Sequence, residues 1–313
     1  SNKSTSSSED SAVQEESENQ DCIEDSDSIT DMYLTAHFFD WLSANGYNAT
    51  RLNRSDLEGG SFGGLVSDQD CIAKEPILFV HGNSDRALSG SFGGWEENIR
   101  FFEEKGYRSA ELYATTYGNP DQDSAADYIH SQENIMQVRH FIEAVLEYSN
   151  SEQIDIITHS LGVTITRRAL LGGSEINEHG EEYFIGDPLG HRIDSFIGIA
   201  GANQGLASCA APISPTCSTD LGLYPGWLNG FTVVDQSRII QQINSDIGYE
   251  GEHVFSFWSH SDQILGPTCL VYGVNSCRIP DQDEESSYFY LDHFELKTET
   301  LEEQHRLITE HSL

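Results

Sequence analysis

The chain has 313 residues, enough for one large domain or two small ones, and its 52 acids against 16 Lys and Arg give a formal net charge of −36. That balance leaves no basic footprint for nucleic acid, and no apolar run reaches the ~18–20 residues of a membrane span. Fifteen Phe, 13 Tyr and four Trp supply the bulk of a sizeable core.

Residues 1–28 are rich in Ser, Glu, Asp and Asn and are read as a disordered acidic tail or tether. They hold nine acids and one Lys, so −8 of the charge belongs to them and −28 to residues 29–313, the expected folded domain. No signal peptide is read at the opening "SNKSTSSSED", though a leader could already have been removed. From Met32 to Tyr47, "MYLTAHFFDWLSANGY" has helical spacing and an Asn-Gly end, which predicts a helix with a Gly cap. "LEGGSFGG" at 57–64 is a glycine-rich surface loop without the setting of a phosphate loop.

An alternation follows. "PILFVHG" (76–82), "AELYATTY" (110–117), "IDIITHS" (154–160), "IDSFIGIAG" (193–201), "HVFSFWS" (253–259) and "SYFYL" (287–291) read as strands. Helical patterns separate several of them, with Ile135, Val138, Phe141, Ile142 and Val145 on one face and "GVTITRRALL" in another. Strands apolar on both faces, alternating with helices, predict an α/β fold with a mostly parallel sheet covered on both sides. Residues 205–231, with Cys209, Cys217, three Pro, Trp227 and Phe231, break the pattern and are expected to form a lid or wall. "DQDEESS" at 281–287 lacks the spacing of a calcium loop and reads as a solvated acidic loop.

Six Cys without any CxxC argue for disulfides rather than a zinc ribbon. The expected pairs are Cys209–Cys217, Cys269–Cys277 and Cys22–Cys71, which implies an oxidising compartment. The charge fits an acidic secreted protein, or one adapted to a saline habitat, where salt relieves self-repulsion.

"DIITHSLG" places Ser160 where an apolar strand turns into a helix, the setting of a nucleophile elbow. Gly162 meets the need for a small residue after the serine, and Thr158 replaces the Gly expected before it. A serine there can equally be a helix N-cap. The backbone N–H groups of Leu161 and of Asn83, in the "HGN" after the first strong strand, are the candidate oxyanion donors. His81 is expected to bond the loop rather than to react. An acid and then a base should follow the serine in the chain. Asp262, just after a buried strand, and His293, after "SYFYL", fill those roles. Asp235 and Asp220 stand as rival acids, and His260, His305 and His311 as rival bases.

"RSDLEGGSFGG", "ILFVHGNSDRAL", "GWEENIRFFEEKGYRSAELYATTYGN" and "DIITHSLGVTITRRAL" resemble class 2 lipases, the group of nematode secreted lipases and the small Bacillus lipase. They are also similar to a branch of extracellular poly(3-hydroxybutyrate) depolymerases. The resemblance is strong over about Arg54–Leu171 and follows by pattern in the C-terminal third. It implies an α/β-hydrolase fold at 29–313 and a triad of Ser160, Asp262 and His293. It also implies ester hydrolysis through an acyl-enzyme, with no cofactor and no metal. The expected protein is a secreted or surface-tethered monomer. It acts on a lipid ester or, in a second reading, on a polyester. The remote alternative is an inactive binding protein of the same fold, which would be expected to lack a triad member.

Overall fold

The computed structural model describes residues 33–313; the tail at 1–28, Met32 and the pairing of Cys22 with Cys71 lie outside the described residues. Seven strands build the central sheet: β1 (Ser61–Phe62), β2 (Ile77–Val80), β3 (Leu112–Thr115), β4 (Ile154–His159), β5 (Ile193–Ile199), β6 (His253–Ser259) and β7 (Glu284–Tyr288). Their spatial order is β1-β3-β2-β4-β5-β6-β7. Every neighbouring pair is parallel except β1 with β3. All residues of β2, β3 and β4 are buried, because helices cover both faces and no position turns to water. This is the α/β-hydrolase arrangement: a mixed, mostly parallel sheet flanked by helices.

The longer helices are α1 (Ala36–Ala44), α2 (Glu96–Glu104), α3 (Gln132–Ser149), α4 (Leu161–Leu171), α5 (Arg238–Ile243) and α6 (Leu301–Glu310). α1, α3, α4 and α5 pack in one layer, and α2 with α6 in another. α1 starts later than its apolar spacing suggests. Leu34 first bridges Gly63, and Thr35 then caps the helix by accepting from the Phe38 N–H at 3.2 Å. Gly46, at φ +84°, turns the chain away after the Asn45 cap. In α3 the Ser131 hydroxyl caps the Asn134 N–H, and the expected apolar face is buried.

The seventh strand departs from expectation. "SYFYL" was the expected strand and "DQDEESS" the expected loop, yet β7 runs through Glu284–Tyr288 while Phe289 and Tyr290 are exposed. An edge strand has one side without a neighbour, so charge is tolerated there. Glu285 pairs with Arg278, and Asp283 accepts from the Val254 N–H at 2.8 Å. Three hairpins, Gly173–Ile176 with Glu182–Gly186, Trp227–Asn229 with Thr232–Val234 and Leu270–Val271 with Val274–Asn275, are not marked by the sequence pattern. The Cys209–Cys217 and Cys269–Cys277 disulfides are formed, consistent with an oxidising environment. Among the described residues no helix is long and apolar enough to cross a membrane.

Candidate active site

The C-terminal ends of β2, β4, β6 and β7 converge on one edge of the sheet. β4 delivers Ser160, whose backbone sits at φ 55° and ψ −125°. A non-glycine residue there is strained, and the strain holds the side chain clear of the sheet. Ser160 heads α4 yet makes no side-chain cap hydrogen bond, so the plain N-cap reading does not apply. The small residues are required by close approach. A Cβ on Gly162 would meet the His81 carbonyl oxygen at 2.3 Å, and one on Gly82 would meet the Ser160 Cβ at 2.8 Å. Thr158 fits in place of glycine because its hydroxyl donates to the Ile197 carbonyl across the strand pair at 3.0 Å.

The loop after β6 carries Asp262, buried, with Oδ1 accepting from the N–H groups of Ile264 at 2.8 Å and Leu265 at 2.7 Å. Its Oδ2 lies 2.7 Å from His293 Nδ1. That contact fixes the proton on Nδ1, since an ionised carboxylate only accepts. His293 Nε2 then faces Ser160 Oγ at 2.9 Å as the acceptor. The three residues span 133 positions of chain and are all held by loops at one sheet edge.

The rivals are elsewhere. Asp235 accepts from Trp227 Nε1 at 2.9 Å, Asp220 lies beside Arg238, and His260 stacks on Phe289. His305 packs among Phe101, Phe102 and Tyr107, and His311 pairs with Asp194. His81 is fully buried, with Nδ1 bonded to the Gly82 carbonyl at 2.6 Å and Nε2 accepting from the Tyr117 N–H at 3.1 Å. Burial, above all, pushes it down to about 4.

Leu161 is the first residue of α4, where no helix carbonyl reaches its N–H. The Asn83 N–H has no acceptor among the described residues, while its side chain donates to the Ala125 carbonyl at 2.9 Å. Both amides flank Ser160 in sequence or across the Gly82 contact. A cavity of about 310 Å³ opens above them, lined by Asn83, Ser160, His293, Phe92, Ile264 and Phe294 among others. Phe92 and Phe294 stack 4.2 Å apart along one wall. Residues 205–231 stand behind another wall, where the Thr216 hydroxyl donates to the same Ala125 carbonyl.

Sequence reasoning missed three supporting residues. His159 Nε2 lies 2.9 Å from the His293 carbonyl, and burial, then the neighbouring His293 and Lys297, hold it well below its ordinary value. It is a neutral donor that pins the His293 backbone. Lys297, buried, reaches Asp85 Oδ2 and the Phe92 carbonyl, each at 3.1 Å. Asp85 also faces the N–H groups of Phe92 and Gly94 at 3.4 Å. This pair ties the loop after β2 to the segment bearing His293.

Fold and site together define an α/β-hydrolase with a Ser–His–Asp arrangement at its elbow. The chain belongs to the class 2 lipase family, whose model matches residues 74–306. None of the curated proteins compared with it matches. Among solved structures it is similar to lipase B of Aspergillus fumigatus (15% identity, 77% of this chain and 49% of that one, TM-score 0.47). A metagenome-derived lipolytic enzyme of the LipS and LipT pair gives 14% identity over 76% of this chain and 94% of that one, TM-score 0.47. A Bacillus licheniformis lipase in its propeptide form gives 15% identity over 79% and 52%, TM-score 0.48. The chain thus spans about half the length of two of these relatives.

Proposed function

We propose that the protein is a serine carboxylic-ester hydrolase in which Ser160 is the nucleophile, His293 the base and Asp262 the residue that holds the imidazole. The observation that carries this reading is the continuous contact from Asp262 Oδ2 through His293 to Ser160 Oγ, at 2.7 and 2.9 Å. In the first step Ser160 Oγ attacks the ester carbonyl carbon and its proton passes to His293 Nε2. The negative charge of Asp262 stabilises the imidazolium. The N–H groups of Asn83 and Leu161 receive the developing oxyanion. His293 then gives the proton to the departing alcohol, leaving an acyl-serine, and takes one from the water that hydrolyses it.

Phe92, Phe294 and Ile264 make the cavity walls apolar, which suits the acyl part of an ester. A lipid ester is the first substrate reading and a polyester the second. Residues 205–231 stand behind the cavity wall and do not line it, which favours a substrate that enters from an open side. The two disulfides suit a secreted or surface-held enzyme. We take it to have an N-terminal tail and one hydrolase domain and to work as a monomer.

Ser160→Ala tests the assignment. The variant should fold as the parent does and lose on the order of 10⁶-fold in kcat on p-nitrophenyl esters. Near-parental turnover, with contamination excluded, would sink it. Comparing triolein with amorphous polyhydroxybutyrate decides between the two substrates.

A further inference from the structure

The opposite, N-terminal edge of the sheet gathers five titratable side chains that the proposed hydrolysis does not use. Asp155 is the second residue of β4, Asp194 the second of β5, and His253 opens β6. Glu75 lies two residues before β2, and His311 caps the end of α6. Ligand atoms of Asp194, His253 and His311 all lie within 4.8 Å of one another, as do those of Glu75, Asp155 and Asp194. Asp194 therefore belongs to both groups. His311 Nε2 is 3.0 Å from Asp194 Oδ2, and the rings of His253 and His311 stack 4.0 Å apart at 14°.

The charges here are poorly balanced. Among the described residues no Lys or Arg pairs with Glu75, Asp155 or Asp194. Glu75 Oε1 is buried without a hydrogen-bond partner, and Asp155, 2% exposed, accepts from the Ser195 N–H at 3.1 Å. Three carboxylates this close require either shared protons or a cation.

We infer that Asp194, His253 and His311 form a binding site for a zinc-class divalent metal ion, with Glu75 and Asp155 supplying balancing negative charge beside it. Two imidazoles and a carboxylate are a donor set that suits zinc better than calcium or magnesium. Ligand atoms ~2.0–2.1 Å from a tetrahedral ion are about 3.4 Å apart. The spacing here is already within about 1.5 Å of that. On binding, the ion takes the place of the proton on His311 Nε2, and the neutral imidazole keeps its single proton on Nδ1. The residues come from α6 and from adjacent strands, since His253 is paired with Ser195 next to Asp194. The ion would fasten α6 to the sheet without touching the edge that carries Ser160.

The full chain, stripped with a chelator and dialysed against zinc chloride, should retain about one zinc per chain, as such sites hold, and melt at a higher temperature. His253→Gln and His311→Gln should each weaken zinc retention by on the order of 10-fold or more and abolish the melting shift. Both should hydrolyse esters like the parent. His253→Gln is the primary variant, because the described contact of the His253 ring is its stack on His311, whereas His311 also pairs with Asp194. If His311→Gln does not fold, His253→Gln decides alone. No retained zinc, or retention in His253→Gln equal to the parent's, would overturn the site and leave shared protons as what balances the carboxylates.

Discussion

At the scale of single residues the site depends on groups held away from water. Lys297 and Asp85 form a buried ion pair that joins the two loops flanking Ser160. Burial holds the Lys297 ammonium below its ordinary value, against the pull of Asp85. Lys297→Met should therefore leave Asp85 unpaired and destabilise the fold by about 3–5 kcal/mol. The double change with Asp85→Asn should recover much of that, as read by urea unfolding. Three buried imidazoles act together on pH dependence. His81 and His130 are each held down to about 4, and His159 well below its ordinary value, with burial the first cause in each. A depressed folded value means the stabilisation is fully present above the unfolded value of ~6.5 and is lost as pH falls. Glu75, raised to about 7, and Asp155, raised well above the usual carboxylate range by burial first, work in the other direction, two groups against three. Stability should fall from about pH 6.5 towards 4, and His130→Gln should flatten that slope by about 1.4 kcal/mol per pH unit. An unchanged slope would mean that His130 is charged in the folded protein. That Ser160, Asp262 and His293 come together was legible because each follows an apolar run in a fixed chain order. His159 and Lys297 were not, since their partners lie 134 and 212 residues away and no local pattern marks such a contact.

At the scale of elements, strands buried on both faces announced themselves as unbroken apolar runs, and β2, β4, β5 and β6 lie where those runs do. The edge strand did not. β7 has one open side, so Glu284 and Glu285 are acceptable there and the apolar "SYFYL" misled. The hairpin Gly173–Ile176 with Glu182–Gly186 carries alternating exposure in short strands that composition alone does not separate from loop. One disulfide joins two short 3₁₀ turns, and the other closes the small Leu270–Val271 and Val274–Asn275 hairpin. Cys269 and Cys277 are fully buried, and Cys209 nearly so. Each closes a loop of eight-residue separation, and losing one should cost about 2–3 kcal/mol. Cys269→Ser with Cys277→Ser should lower the melting temperature by several degrees. A melting temperature unmoved in calorimetry would show that the hydrogen bonds of this loop suffice.

At the scale of the whole molecule the dominant property is charge. With −28 on residues 29–313, like charges crowd one folded surface more than they crowd the expanded chain. The screening length falls from ~30 Å at 0.01 M salt to ~3 Å at 1 M. The melting temperature should rise across that range in sodium chloride, and removing residues 1–28 should leave most of the rise intact. A flat response would mean that the fold tolerates its charge without salt. The placement of Ser160 on one half of the chain and of Asp262 and His293 on the other has a different consequence. Between them lies the hairpin whose exposed turn is Glu178–Glu181, a place where a break in the chain removes little buried structure. Cut there, one piece keeps the serine and the other keeps the acid and the imidazole. Under the proposed function, ester turnover would then report on whether the two pieces have found each other, and fusing each to one of two other proteins would make a sensor of their association.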